Sequence, residues 1–217
     1  NQACHNAHRP SDSVLLIAVS KTHTADKVLQ AYQAGQRHFG ENYVQECSEK
    51  ITALNTSCPD IIWHFIGPLQ SNKTRIIAEQ VDWVQSVDRL KIAERLSTQR
   101  PTHLPPLQVL VQVNISGELT KSGVTPSETQ HLCSQILNLP NIELRGLMAI
   151  PEPGSSPESL PELYSLFKEI QNNLGSNAKF DTLSMGMSDD LESAIQAGST
   201  MVRIGTAIFG QRIKKPQ

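Results

Sequence analysis

No run of apolar residues in this chain approaches the roughly 20 that a membrane-spanning helix needs, and its start lacks the charged-then-apolar pattern of a secretion signal. Charge of one sign is also missing: 19 Lys and Arg stand against 21 Asp and Glu, a net of −2, and aromatics make up only 5%. Neither a nucleic-acid footprint nor a membrane-binding face follows from that balance. The four cysteines, Cys4, Cys47, Cys58 and Cys133, lie far apart without a C-x-x-C pair, which argues against a zinc knuckle and a redox dithiol and leaves reduced thiols. Cys4, His5 and His8 crowd the amino end and read as a frayed terminus rather than a metal site. No metal is assigned. What remains is a soluble cytoplasmic protein whose partners are small molecules, with no nucleic acid and no membrane among them.

At 217 residues, one sizeable domain buries a full core without staples. The chain begins with Asn rather than Met, which predicts that some amino-terminal residues were removed or left out. Strand-like runs recur at 15–20, 37–40, 61–67, 83–87, 106–115, 144–150, 182–186 and 201–205, and a helical pattern follows each of the first seven. Thr24 caps the first helix and Gly35 stops it; the third runs from Ser71 to about Gln80. Thr125, Pro126 and Glu128 form a capping box before the fifth, and Ser188 is read as the cap of "DDLESAIQAG". The Pro- and Ser-rich stretch 151–159 is a surface loop. Eight strands alternating with helices in this length indicate a closed (β/α)₈ barrel. An open doubly wound sheet is the alternative, but no G-x-G-x-x-G follows the first strand.

In such a barrel the residues just after each strand converge on one mouth. "LLIAVSK" ends its apolar run on Lys21. A lysine there either reaches solvent or is partly desolvated in a cleft, where a lowered pKa frees its amine to condense with an aldehyde. "SMGMSDD" and "RIGT", after the seventh and eighth strands, supply Gly186, Ser188, Gly205 and Thr206, the material either of a phosphate site or of ordinary turns and a cap. The two aspartates after Ser188 are first-turn acids that can point outward. Arg203 donates to a ring nitrogen, holds an acid, or sits in a buried ion pair.

The segments "AVSKTH", "HFGENYVQE", "WHFIGPLQSNK", "RGLMAI" and "LSMGMSDDLESAIQAGSTMVRIGTAIFG" together resemble the pyridoxal phosphate homeostasis family, whose barrel is similar to the amino-terminal domain of alanine racemase. The resemblance spans about residues 14 to 212. It implies one pyridoxal 5'-phosphate (PLP) binding (β/α)₈ barrel over 1–217 that lacks part of an amino-terminal helix. Lys21 would hold PLP as a Schiff base; Gly186, Met187 and Ser188, with Gly205 and Thr206, would hold the phosphate. Arg203 would contact the pyridine nitrogen, while Asn42, Asn114 and Met148 would line the ring pocket. His64 is left out of the set as a packing residue.

The resemblance also carries a consequence for chemistry. A guanidinium stays protonated, so it donates to the ring nitrogen and leaves the ring a weak electron sink. Racemases with such an arginine rely on a second base, a tyrosine from a second domain and partner subunit. This chain has no room for that domain, and of Tyr32, Tyr43 and Tyr164 only Tyr43 approaches the mouth, with packing as its expected role. The expected function is therefore cofactor homeostasis, with no catalytic residue assigned: PLP is bound, its aldehyde buffered, and the cofactor passed to PLP-dependent apoenzymes by a monomer. The alternative is a weak PLP-dependent amino-acid racemase. Lys121, Lys73, Lys214 and Lys215 are candidate transit lysines or plain solvated ones.

Overall fold

The computed structural model describes residues 1–117, 122–150, 158–175 and 178–211. In chain order the elements are α1 (Gln2–Asn6), β1 (Leu15–Val19), α2 (Ala25–Gln33), β2 (His38–Glu41), α3 (Val44–Leu54), β3 (Ile62–Phe65), α4 (Thr74–Gln80), β4 (Trp83–Val87) and α5 (Leu90–Gln99). There follow β5 (Leu107–Gln112), α6 (Pro126–Ile136), β6 (Ile142–Met148), α7 (Ser159–Leu174), β7 (Thr182–Ser184), α8 (Leu191–Gln196), β8 (Met201–Ile204) and α9 (Thr206–Phe209). The strands close into one parallel barrel in sequence order. Closure is made by β1 on β8, with Ile17 opposite Arg203 and Ala18 opposite Ile204.

Alternation along the strands divides the core in two. Ala18, Phe39, Phe65, Val84, Val109, Leu147 and Leu183 face outward and pack with the helix residues Val28, Cys47, Ile77, Leu96, Cys133, Phe167 and Ile170. The alternate positions Ile17, Leu110 and Met148 are fully buried inside the barrel. Local chemistry sets the helix ends. Pro126 sits in the first turn of α6, and the Thr125 N–H donates to Glu128 Oε2 at 3.2 Å, as the capping box predicts. Gly35 follows α2 with φ +101°, in the left-handed region that a helix exit uses.

Several expectations need correction. The third crossover helix, α4, starts at Thr74 rather than Ser71, because the Thr74 hydroxyl donates to the Ser71 carbonyl and holds 71–73 as a turn. Strand β6 starts at Ile142 rather than 144, since Asn141 takes a left-handed φ of +61° and releases the chain into the ladder early. The amino end is not frayed: α1 buries Cys4 against Ile195, Val202 and Ile204. The 151–157 part of the expected surface loop, and Lys121, Lys214 and Lys215, lie outside the described residues. No helix among the described residues is long and apolar enough to cross a membrane.

Phe39 tests the outer core layer. It is fully buried with its ring centroid 6.0 Å from that of Trp63, so Phe39→Ala is expected to cost about 3–5 kcal/mol. Urea unfolding should show this as a lower midpoint with an unchanged slope.

Candidate functional site

The strand ends open on a cavity of about 410 Å³, a size that suits a small ligand. Lys21, Asn42, Met187, Ser188, Arg203, Gly205 and Thr206 line it, together with Val19, His23, Ile66, Ile150, Asp189 and Gly210. Three other residues singled out from sequence are not in its wall. Met148 is fully buried inside the barrel. Asn114 accepts from Ser116 Oγ at 3.2 Å and donates its backbone N–H to the Val124 carbonyl. Gly186 is buried with φ +100°, and a Cβ there would come within 2.5 Å of Ala194 Cβ, so only glycine lets this turn lie against α8.

The mounting of Lys21 is electrostatic. Lys50, buried on α3, donates to the Ser20 carbonyl at 2.7 Å and to Glu41 Oε1 and Glu46 Oε1, each at 2.6 Å. Glu46 Oε1 also accepts the Thr22 N–H at 2.6 Å. The residues on both sides of Lys21 are thus tied to one ion cluster. Thr22 pays for this with φ +67°, an unfavourable conformation for a β-branched residue that persists only where its surroundings impose it. Burial pushes the Glu41 carboxyl above its usual range, with Lys50 pulling the other way, and Ser20 Oγ donates to it at 2.5 Å.

Across the mouth, the N-cap position of α8 is held by Asp190 rather than Ser188, without a side-chain bond to the helix itself. Asp190 does not point outward: its Oδ1 accepts the Met187 N–H at 2.5 Å. This frees Ser188 from the capping role and leaves it on the cavity wall beside Thr206, the first residue of the short helix α9. Nearby, Asn42 Oδ1 is buried without a hydrogen-bond partner among the described residues. Its backbone is clamped by Gly67, where a Cβ would fall 2.0 Å from the Asn42 carbonyl oxygen.

Arg203 is the buried cation of the site. Nη1 donates to Ser184 Oγ at 2.6 Å and Nη2 to the Ala149 carbonyl at 2.7 Å, and it makes no ion pair among the described residues. Burial lowers its pKa to about 10, partly opposed by Asp190, which still leaves it charged at neutral pH. Tyr43 is 56% exposed and lies outside the cavity wall rather than packed, because it stands at the N-cap of α3. Tyr32 donates to Asp60 on the outer surface, and Tyr164 lies under Gly198.

Sequence reasoning missed Lys50, Glu46 and the cavity residue His23, whose ring stacks on Phe209 at 5.3 Å, and it gave neither Glu41 nor Asp190 the bonding role seen here. It also missed Ser184, to which the arginine donates, and Gln85, which accepts from that serine. An acid four residues before Lys50 on one helix face was the only local signal for the ion cluster.

Residues 2–213 match the family of the alanine racemase N-terminal domain. The pyridoxal phosphate homeostasis protein of Pasteurella multocida is 55% identical over 214 residues, covering 97% of this chain and 91% of that protein. The protein of the same name from Escherichia coli K12 is 51% identical, covering 94% of this chain and 88% of that one. Among solved structures, PipY of Synechococcus elongatus, described with PLP bound, superposes with a TM-score of 0.83 at 37% identity and covers 96% of this chain and 98% of its own. The chain therefore belongs to the pyridoxal phosphate homeostasis proteins, within the family of the alanine racemase N-terminal domain.

Proposed function

We propose that this chain binds PLP in the cavity at the barrel mouth and serves the homeostasis of that cofactor, buffering it and passing it to PLP-dependent apoenzymes. The observation that carries this reading is that an amine, Lys21, and a buried guanidinium with no ion pair among the described residues, Arg203, face one cavity of ligand size. The residues fit the group. Lys21 supplies an amine for the aldehyde, Arg203 a permanent donor for the ring nitrogen, and Asn42 Oδ1 an orphaned polar atom beside the ring's place. Met187, Ser188, Gly205 and Thr206 offer hydroxyls and backbone to the phosphate. PLP contributes an aldehyde that condenses with a primary amine to a Schiff base and water. The buried Lys50 cluster holds Lys21 at the rim, and the always-protonated Arg203 donates without giving up a proton, which keeps the ring a poor electron sink. Asn114, Met148 and Gly186 act behind the wall, through the backbone and packing that shape it.

The relatives carry names for homeostasis proteins rather than enzymes, which supports a carrier over a turnover enzyme. Among the described residues no tyrosine lines the cavity to serve as a second base. In this reading the working unit is a cytoplasmic monomer.

Borohydride reduction of protein mixed with PLP, followed by peptide mapping, tests the reading: a pyridoxyl group on Lys21 is expected, and loss of yellow colour in Lys21→Ala. A label elsewhere, or no colour at all, would overturn it. Mixed with L-alanine in heavy water, the protein is expected to exchange no α-hydrogen; sustained exchange that depends on Lys21 would make it a racemase. Asp190 now occupies the Met187 N–H that a phosphate oxygen would seek. Asp190→Asn keeps a side-chain oxygen for the Met187 N–H and removes a like charge, so PLP affinity is expected to rise roughly 5-fold in a fluorescence titration. A fall would mean that the carboxylate builds the cradle rather than competes for it.

A further inference from the structure

The interior of a (β/α)₈ barrel is ordinarily filled by branched apolar layers. Here a file of polar side chains crosses it. Ser184 Oγ lies 2.7 Å from Gln85 Oε1, Gln85 Nε2 lies 3.0 Å from His64 Nδ1, and His64 Nε2 lies 3.0 Å from His38 Nδ1. Ser184, Gln85 and His64 are all fully buried, while His38, the first residue of β2, is half-buried at the opposite end of the strands from the cavity. With Arg203 Nη1 on Ser184, the file runs from the ligand cavity through the barrel.

Its direction follows from one end. A guanidinium has donors and no acceptor. Ser184 must accept from Arg203 and therefore turns its own proton to Gln85 Oε1. The amide then presents its N–H to His64, so His64 Nδ1 carries no proton and its Nε2–H donates to His38 Nδ1. Burial holds the His64 pKa well below its ordinary value, so the ring is neutral and has one N–H to place. Each link polarises the next, which strengthens the serine oxygen as an acceptor.

We propose that Ser184, Gln85 and His64 are positioning residues: a one-way hydrogen-bond file, ending at His38, that fixes the orientation of Arg203 toward the ring nitrogen of bound PLP. The inference rests on the reading of Arg203 as the ring-nitrogen partner. The file replaces the carboxylate that would ordinarily hold a buried arginine. A carboxylate in contact would compensate the cation locally, whereas a neutral serine leaves the positive charge directed at the ligand. Gln85 is the joint on which polarity depends, because its amide offers an acceptor to the serine and a donor to the imidazole on the same planar group. Its Nε2 also lies 3.1 Å from Met201 Sδ, which helps set the orientation of the amide.

The test has an arm that needs no ligand. Long-range ¹H–¹⁵N spectra of the histidine rings in ligand-free protein are expected to show His64 neutral and protonated on Nε2. In Gln85→Glu, where oxygens replace both functions of the amide, His64 is expected to switch to the Nδ1–H form. An Nδ1–H ring in the unaltered protein, or an unchanged ring in Gln85→Glu, would overturn the file. The second arm uses PLP: Gln85→Leu is expected to retain the label on Lys21, to shift the visible absorption maximum of the bound cofactor, and to weaken PLP binding roughly 5- to 10-fold, the loss of one hydrogen bond to a charged group. A variant that binds PLP with the original spectrum and affinity would remove the positioning role while leaving the proposed function intact. If the unaltered protein takes up no PLP, the proposed function fails instead, and with it the link from the file to a ligand. Should Gln85→Leu not fold, the tautomers in the unaltered protein and in Gln85→Glu decide.

Discussion

The ladder between β1 and β8 is the constraint on which the site depends. Parallel strands all run the same way, so closing the sheet brings the carboxyl ends of the first and last strands side by side with no edge left open. The register that sets Ile17 opposite Arg203 also sets Lys21, just past the end of β1, beside Gly205 and Thr206. An open sheet of the same strands would leave the lysine and the arginine at opposite edges. Closure thus does for residues nearly the whole chain apart what a tight turn does for neighbours.

Two opposite solutions to buried charge flank that closure. On the Lys21 side the protein pairs charges directly, Lys50 against Glu41 and Glu46, and uses the cluster to clamp the backbone in a strained turn. Breaking such a cluster by removing one partner leaves an uncompensated charge in a dry place, so its geometry is rigid. On the Arg203 side the cation donates to a hydroxyl and a carbonyl and meets no carboxylate in an ion pair among the described residues. The first arrangement fixes a position; the second leaves electrostatic capacity for something outside the protein to use.

Much of this was legible in the sequence. Strand and helix periods gave the barrel, and strand ends gave Lys21, Asn42, Ser188, Arg203 and Thr206 as neighbours of one mouth, because topology alone brings such residues together. What was not legible depended on choices between adjacent candidates or on which way a strand faces. Ser188 and Asp190 are both good helix caps two residues apart, and residue type alone does not say that the N-cap position falls to the aspartate. Gln85 in "WVQSV" alternates with valines as it would on any half-buried strand, and the sequence does not say that its face is the barrel interior. Lys50 and Glu41 lie nine residues apart on different elements, so their contact exists only once α3 folds back on the sheet. Asn114, although it follows a strand, is drawn aside by the bridge between Val113 and Val124.

The cysteines carry a consequence of another kind. All four are buried and unpaired, and burial pushes the Cys133 thiol up to about 12 and Cys47 higher still. A thiolate is the sulfur species that attacks electrophiles, and these side chains are sheltered from the solvent and, for Cys47 and Cys133, locked in the protonated form. For the proposed binding of an aldehyde at the barrel mouth this means chemoselectivity: neither of these two thiols is ionised to compete for the carbonyl, and capture is left to nitrogen.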